Sequence, residues 1–235
     1  MREHGSPYAA LEALPEIAKA AGVTDYALSP EGVVAAEMKA GRAAGTKLLI
    51  AGQAGYPTAL SDLSDAPAIL WDLGDVSLLS RPMIALVGAR NASSLGTRMA
   101  KKLASDLGEA GYVVVSGLAR GVDTAAHIGA LETGTIAVLA SGVDTIYPIE
   151  NKALAEDIAR RGLRISEMPM GVQPQARHFP ARNRIISGLA RGVVIVEAAA
   201  KSGSLITARN ALDQSRDVLA VPGHPFDART YGCNM

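Results

Sequence analysis

Short apolar runs recur along the chain from residue 83 onward. They are rich in β-branched residues, and helix-length segments separate most of them. Such continuous runs are typical of strands buried on both faces of a parallel sheet. The pattern predicts six strands, MIALVG from 83, YVVVSG from 112, TIAVLASG from 135, LRISE from 163, GVVIVEA from 192 and DVLAVPG from 217.

Strands that alternate with helices predict an α/β fold, specifically an extended Rossmann-like, doubly wound and mainly parallel sheet. Residues 1–46 differ, because they are rich in alanine, carry charges at helical spacing and are punctuated by glycines. They predict a small N-terminal helical domain. Residues 47–82 contain proline-marked turns and predict a connecting strand and loop segment, which leaves 83–235 as the Rossmann-like domain.

The bulk composition suits one large domain with a small appendage. The chain has 235 residues, of which 49% are hydrophobic. It lacks a signal-peptide pattern and an apolar run of the roughly 20 residues that span a bilayer. Its single cysteine, Cys233, excludes an intramolecular disulfide and suits a reducing compartment. These features predict a cytoplasmic protein without a membrane partner.

The net charge of zero hides two unlike parts. Residues 1–80 contain ten acidic and five basic residues, a net charge of −5. Residues 81–235 contain the remaining 18 basic and 13 acidic residues, a net charge of +5. A basic excess in the predicted α/β region favours a polyanionic partner.

Four turns that follow predicted strands combine glycines or hydroxyls with basic residues. Backbone amides at a helix N-terminus, together with such side chains, can hold a phosphate. Since the carboxyl ends of parallel strands lie at one edge of a sheet, the four turns predict one anion-binding groove. The turns are Gly88–Ser94, Ser116–Asp123, Arg177–Arg184 and Lys201–Thr207.

The third turn lies in a stretch, residues 170–191, that contains no acidic residue. An aromatic ring among cations suits a single nucleic acid strand, because bases stack on the ring while phosphates contact the cations. Phe179 is therefore either a base-stacking residue or a core residue. Arg182 and Arg184 are either phosphate contacts or solvated charges at a helix start. In the second turn, Asp123 is a helix cap or a partner for a nearby arginine.

Several enzyme classes are disfavoured by what the motifs lack. Arg90 occupies the position of the second glycine of a dinucleotide fingerprint, and the next strand ends in Ser116-Gly117 without the ribose-binding acid. There is no G-x-S-x-G elbow and no histidine at metal-ligand spacing. We therefore predict no cofactor and no metal site, and a packing or hydrogen-bonding role for His127.

The order and spacing of these motifs resemble the DNA-processing protein A family (DprA/Smf), from about Tyr56 to Met235. The resemblance implies a protein that binds and protects incoming single-stranded DNA (ssDNA) during natural transformation and helps to load the RecA recombinase onto it. The first part resembles the small sterile-alpha-motif-like domain of many members. The matching segments are VGAR with Ser93, VVSGLARGVDTAAH, IYPIEN, FPARNRII, VEAAAKSGSLITA, AVPG and YGCN.

The resemblance also implies a set of DNA-binding residues and a homodimer. The dimer would form through the last part of the fold, from Ala211 onward. Family members continue beyond the position of Met235, so either the sequence is incomplete there or the dimer edge differs, and the helical start is also shorter than usual. The implied DNA-binding residues are Gly88, Arg90, Ser93, Gly117, Arg120, Gly121, Lys152, Arg177, Phe179, Arg182, Asn183, Arg184, Lys201, Ser202, Gly203 and Ser204.

The alternative is a nucleotide phosphoribohydrolase of the Lonely Guy or lysine-decarboxylase-like type, which has the same broad fold. Its signature, P-G-G-x-G-T-x-x-E, should fall on AKSGSLIT at residues 200–207, yet no glutamate follows at the corresponding spacing. Because that carboxylate is the acid-base group, the sequence favours a DNA-binding protein over an enzyme.

Overall fold

The computed structural model describes residues 4–235 and divides into two compact units, one that ends at Ala40 and one that runs from Gly41 to Met235. Helices α1 (Pro7–Ala20) and most of α2 (Glu31–Ala43) belong to the first unit. The Ser6 side chain caps α1 by accepting a hydrogen bond from the N–H of Ala9, at 3.1 Å. Proline at the first helical position also favours a helix start there.

The second unit begins with an antiparallel part of the sheet. Strand β1 (Lys47–Ile50), helix α3 (Thr58–Ser61) and strand β2 (Ile69–Gly74) come first. Strand β2 pairs with β1 on one side and, again antiparallel, with β6 (Leu163–Ser166) on the other. The segment 47–82 therefore contributes two strands to the sheet in addition to connecting the helical start to the α/β region.

All six strands predicted from the apolar runs are confirmed, as is the fold class. Besides β6 they are β3 (Met83–Val87), β4 (Val113–Ser116), β5 (Thr135–Val138), β7 (Gly192–Ile195) and β8 (Asp217–Ala220). The order across the sheet is β1-β2-β6-β5-β4-β3-β7-β8, and β3 to β8 pair in parallel. The remaining helices are α4 (Ser94–Glu109), α5 (Val122–Ala130), α6 (Lys152–Arg161), α7 (His178–Leu189), α8 (Ser204–Asp213) and α9 (Tyr231–Asn234).

Helices cover both faces of the sheet, which explains why its central strands are apolar throughout. In β4, Val113 and Val115 pack in the core that contains the apolar side chains of α7 and α8. Val114, which points the other way, packs with Ala104 of α4 and Ala130 of α5. No helix within residues 4–235 is long and apolar enough to cross a membrane.

The chain reverses direction across the sheet between β3 and β7. It leaves β3 through α4 and returns beside it as β4, whereas β7 lies on the other side of β3 and leads into α8. Helices α4 and α8 pack on opposite faces, so the turns that precede them diverge at the carboxyl ends of the two strands. Doubly wound sheets bind ligands in the crevice that forms at such a point.

Candidate functional site

Two adjoining cavities open at the carboxyl edge of the parallel strands. The switch-point cavity, of about 710 Å³, lies between the turns that follow β3 and β7 and is lined by Gly88, Arg90 and residues 201–204. The β4 cavity, of about 270 Å³, lies beside the turn that follows β4 and is lined by Gly117, Arg120 and Tyr147. The two cavities share four lining residues, Arg90, Ala119, Phe179 and Arg182.

A cation and two aromatic rings form a row along these cavities. The guanidinium carbon of Arg90 lies 4.8 Å from the centre of the Phe179 ring. The Phe179 ring lies 5.9 Å from that of Tyr147, at an interplanar angle of 56°. Cation–π attraction holds the exposed Arg90 side chain beside the half-buried Phe179. The row offers flat apolar surfaces next to a positive charge.

Arg182 is a buried cation in the wall of both cavities. Its side chain is 5% exposed, and its Nη1 donates to the carbonyl of Val138 at 2.9 Å. Among residues 4–235, its Nε has no hydrogen-bond partner. Burial lowers the pKa of Arg182 to about 10, opposed by the charge of Asp123 and reinforced by that of Arg90. The guanidinium therefore keeps its charge at neutral pH with one donor unsatisfied.

Gly117 and Asp123 shape the turn around this arginine. A Cβ on Gly117 would collide with the Arg182 guanidinium, so only glycine leaves room for it. The Asp123 carboxylate accepts hydrogen bonds from the amides of Gly117 and Ala119, at 3.1 and 3.2 Å. Burial raises the pKa of Asp123, against the effect of Arg182 and of these bonds. Asp123 thus caps the turn after β4 and is an electrostatic partner of Arg182. Because the Gly117 amide already donates to Asp123, it is not free to donate to a phosphate.

Gly121 is needed for close packing between two turns. Its φ is +73°, and a Cβ there would collide with the carbonyl oxygens of Ala89 and Arg90. The amide of Val122 donates to the same Ala89 carbonyl, at 3.2 Å. Gly121 lines neither cavity and acts by holding the turn after β4 against the turn that carries Arg90.

Ser93 caps helix α4, and its hydroxyl already has a partner. The Ser93 Oγ accepts from the amide of Gly96 at 3.0 Å and donates to the carboxylate of Glu197. Glu197 is 3% exposed and lies just beyond β7. Glu197 is not among the site residues predicted from the sequence, although an acid directly after the apolar run GVVIV was a detectable signal.

The turn after β7 contributes hydroxyls and a helix N-terminus to the switch-point cavity. Ser202 and Ser204 contact each other through their hydroxyls at 2.7 Å, and α8 begins at Ser204. Asn183 reaches from α7 to the carbonyl of Gly203, at 3.5 Å. Lys201 is exposed beside them. These four residues, together with Gly203, were predicted to lie at one groove, and the structure brings them together.

Four basic residues predicted to contact DNA have different surroundings. Arg184 lines neither cavity, because it pairs with Glu167 at 2.7 Å and Asp65 at 3.4 Å. Arg120 lines the β4 cavity and pairs with the exposed Glu150 at 2.9 Å. The other two, the exposed residues Lys152 and Arg177, lie at the starts of α6 and α7 and line neither cavity.

The charged residues that line the two cavities are mostly basic. Among the described residues that line the two cavities, Asp123 is the only acidic one, and its carboxylate is already hydrogen-bonded. Within residues 4–235, no group of three His, Cys, Asp or Glu side chains could hold a metal ion. The predicted packing role of His127 is confirmed, since it is fully buried with Nδ1 2.7 Å from the Thr135 hydroxyl.

Comparison with known proteins identifies the family. Residues 47–235 match the family described as DNA recombination-mediator protein A. The chain belongs to this family. Residues 1–40 match a DprA-like N-terminal HHH domain, where the sequence had suggested a sterile-alpha-motif-like one.

Individual relatives agree with this assignment. The DNA processing protein DprA of Streptococcus pneumoniae is 48% identical over 181 residues, which cover 76% of this chain and 64% of the relative. This chain thus spans less than two thirds of that relative's length. The X-ray structure of DNA processing protein A from Streptococcus pneumoniae is similar, with a TM-score of 0.81, 35% identity and coverage of 95% of this chain and 86% of that one.

A second relative has a name that specifies a ligand. It is DNA processing protein A from Helicobacter pylori, whose structure is described as giving insights into its single-stranded DNA binding mode. The TM-score is 0.74 and the identity 33%, with coverage of 79% of this chain and 85% of that chain.

Proposed function

We propose that this chain binds single-stranded DNA in the switch-point and β4 cavities, without reading its sequence. In this proposal it acts as a recombination mediator that protects incoming DNA during natural transformation and helps to load a RecA-type recombinase. The predicted DNA-binding residues remain a proposal as a set. Those that line the cavities, apart from Gly117, would contact DNA directly, whereas Ser93, Gly117 and Gly121 would act by shaping the turns.

The observation that carries the proposal is the buried guanidinium of Arg182. A buried cation with an unsatisfied donor is costly unless an anion completes its surroundings. Its Nε lacks a partner among residues 4–235, and its side chain lines both cavities. A phosphate bound in either cavity would lie beside this buried positive charge and offset it, and Arg90 and Lys201 would supply further positive charge.

The aromatic row supports a nucleic acid strand over a free phosphate. Phe179 and Tyr147 lie beside Arg90, so a base could stack on a ring while its own phosphate contacts the guanidinium. Stacking tolerates any base, which fits binding that is independent of sequence. A duplex would keep its bases paired and hidden from the rings.

A non-enzymatic role is supported because, among residues 4–235, no carboxylate that lines the two cavities is free of hydrogen bonds. The phosphoribohydrolase alternative needs a carboxylate in the nucleotide pocket. Asp123 accepts two backbone hydrogen bonds, and Glu197 bonds to Ser93 and lines neither cavity. A nucleoside monophosphate assay for released base would detect such an enzyme, and we expect none.

A homodimer formed through the segment from Ala211 onward is part of the proposal. Strand β8 lies at the edge of the sheet, where it pairs with β7. Leu212 and Leu219 in this segment are 63% and 54% exposed. An edge strand with exposed apolar side chains suits self-association. Light scattering across a concentration series would measure it, and a monomer at all concentrations would contradict it.

Binding is tested by fluorescence anisotropy of a labelled oligonucleotide over a range of salt concentrations. Arg90→Ala and Lys201→Ala should each weaken binding and lower the slope of log K against log salt by roughly 0.7, the value for one single-strand phosphate contact. Lys102→Ala is the matched control, because Lys102 is exposed on α4 and pairs with Asp106. No binding at low salt, or equal salt slopes for the wild type and both site variants, would refute the proposal that ssDNA binds in these cavities.

Recombinase loading is tested separately. The chain should shorten the lag before a RecA-type recombinase hydrolyses ATP on ssDNA coated with a single-strand binding protein. Arg90→Ala should lose this effect in proportion to its loss of DNA binding. An unchanged lag with wild-type protein at saturating DNA occupancy would contradict the loading role but not the binding role.

A further inference from the structure

We propose that Glu197 is the positioning residue of the turn that carries Arg90. This inference rests on the proposed binding of ssDNA by Arg90. It assigns to a buried carboxylate, which lines neither cavity, the task of fixing the shape of a phosphate-binding turn.

Glu197 contacts both ends of the turn between β3 and α4. At the start, its backbone carbonyl accepts a hydrogen bond from the amide of Ala89, at 2.7 Å. At the end, its carboxylate accepts one bond from the amide of Ser93, at 2.9 Å, and another from the Ser93 hydroxyl. Arg90 lies between these two attachments. One residue thus fixes the segment from which the Arg90 side chain extends.

The hydroxyl of Ser93 relays this contact into helix α4. It accepts from the amide of Gly96 and directs its own proton to Glu197. A Cβ on Gly96 would collide with the Glu197 carboxylate, so glycine lets the helix approach this closely. Because its single proton is already donated, the Ser93 hydroxyl is not free to donate to a phosphate. Ser93 therefore acts through Glu197.

A carboxylate near the proposed DNA-binding cavities has two effects of opposite sign on ssDNA affinity. Its charge repels phosphates, so neutralising it would strengthen binding if charge alone mattered. Its hydrogen bonds hold the Arg90 turn, so weakening them would reduce binding. The two hydrogen bonds that the Glu197 carboxylate accepts and the N-terminus of α4 act to offset its charge. The proposal is that positioning dominates, and the sign of the change in affinity decides it.

Glu197→Gln is the deciding variant, because glutamine keeps the shape and removes the charge. Its side-chain oxygen can still accept from the amide of Ser93, whereas its NH₂ group can only donate to the Ser93 hydroxyl, so the charge-assisted bond donated by that hydroxyl is lost. We expect ssDNA affinity to fall about tenfold, as for the loss of a charge-assisted hydrogen bond. The salt slope should fall as it does in Arg90→Ala, and the double variant should show no further fall. Equal or tighter binding by Glu197→Gln would overturn the proposal.

The matched control is Glu109→Gln, the same change of charge at the exposed far end of α4. Its affinity and salt slope should equal those of the wild type. If Glu197→Gln fails to fold, Ser93→Ala removes the hydroxyl contact while leaving Glu197 in place. Ser93→Ala should weaken binding and Ser93→Thr, which keeps the hydroxyl, should restore it. Wild-type affinity in Ser93→Ala would also overturn the proposal.

A readout without DNA separates this inference from the proposed function. Hydrogen exchange of the segment 88–97 should be faster in Glu197→Gln than in the wild type, because the cap of α4 loses support. Absence of DNA binding by the wild type would refute the proposed function. Exchange that is unchanged in Glu197→Gln would refute the positioning role.

Discussion

Gly117→Ala directly tests the packing of the buried arginine. The added methyl group would collide with the guanidinium of Arg182, which cannot move away without breaking its bond to the Val138 carbonyl. A lost hydrogen bond from a charged group costs about 1.5–3 kcal/mol, and overpacking costs about 1–3 kcal/mol. Because moving the arginine relieves the overpacking, the two costs overlap. We expect a loss of about 2–4 kcal/mol in the free energy of unfolding.

The assay uses urea unfolding followed by the fluorescence of Trp71, the single tryptophan, which is 3% exposed in the second unit. Gly203→Ala is the matched control, since a Cβ there meets no atom within 4 Å, and its stability should change by less than about 0.5 kcal/mol. Gly117→Ala should also bind ssDNA about tenfold more weakly, because the displaced guanidinium leaves the cavity wall. Stability equal to that of Gly203→Ala, together with the affinity of the wild type, would refute this account of Arg182.

Two further predictions concern His127 and Phe179. Burial lowers the pKa of His127 to about 3, so the unfolded chain takes up the proton first and stability falls as the pH drops from about 6.5. Between pH 6.5 and 5 the wild type should lose about 2 kcal/mol more than His127→Gln in urea unfolding, and parallel curves would contradict this. Phe179→Leu should weaken ssDNA binding by about 1–3 kcal/mol through lost stacking, measured by anisotropy against Phe226→Leu, whose ring is 93% exposed. Equal affinities of the two variants would exclude stacking on Phe179.

The strands were predictable because their signal is local. Each apolar run from MIALVG to DVLAVPG contains the full pattern of a strand buried on both faces, and each forms a strand, although β8 at the edge of the sheet is mostly exposed. The antiparallel strands β1 and β2 were less evident. Strand β2 includes Asp72, a buried acid, which interrupts the apolar pattern. Its place beside β6 depends on pairing with a strand about 90 residues away in sequence, which a local pattern does not encode.

The sequence predicted where the candidate site lies better than it predicted which residues contact one another there. Glycines, hydroxyls and arginines after the strands indicated the carboxyl edge, and the Arg90, Gly117 and Lys201 turns lie there. The sequence could not distinguish the three arginines Arg90, Arg182 and Arg184. They are, respectively, exposed beside a ring, buried in the cavity wall, and paired with acids outside both cavities.

The sequence by itself determined the class of fold, the set of parallel strands and the edge of the sheet at which the candidate site lies. Tertiary structure alone decided what each polar group does there. From the sequence of its turn alone, Ser93 is predicted to contact a phosphate. In the structure, its hydroxyl instead bonds to Glu197, 104 residues away in sequence. The physical reason is that strand formation follows from local hydrophobic patterning, whereas burial and hydrogen-bond partners depend on which distant segments the fold brings together.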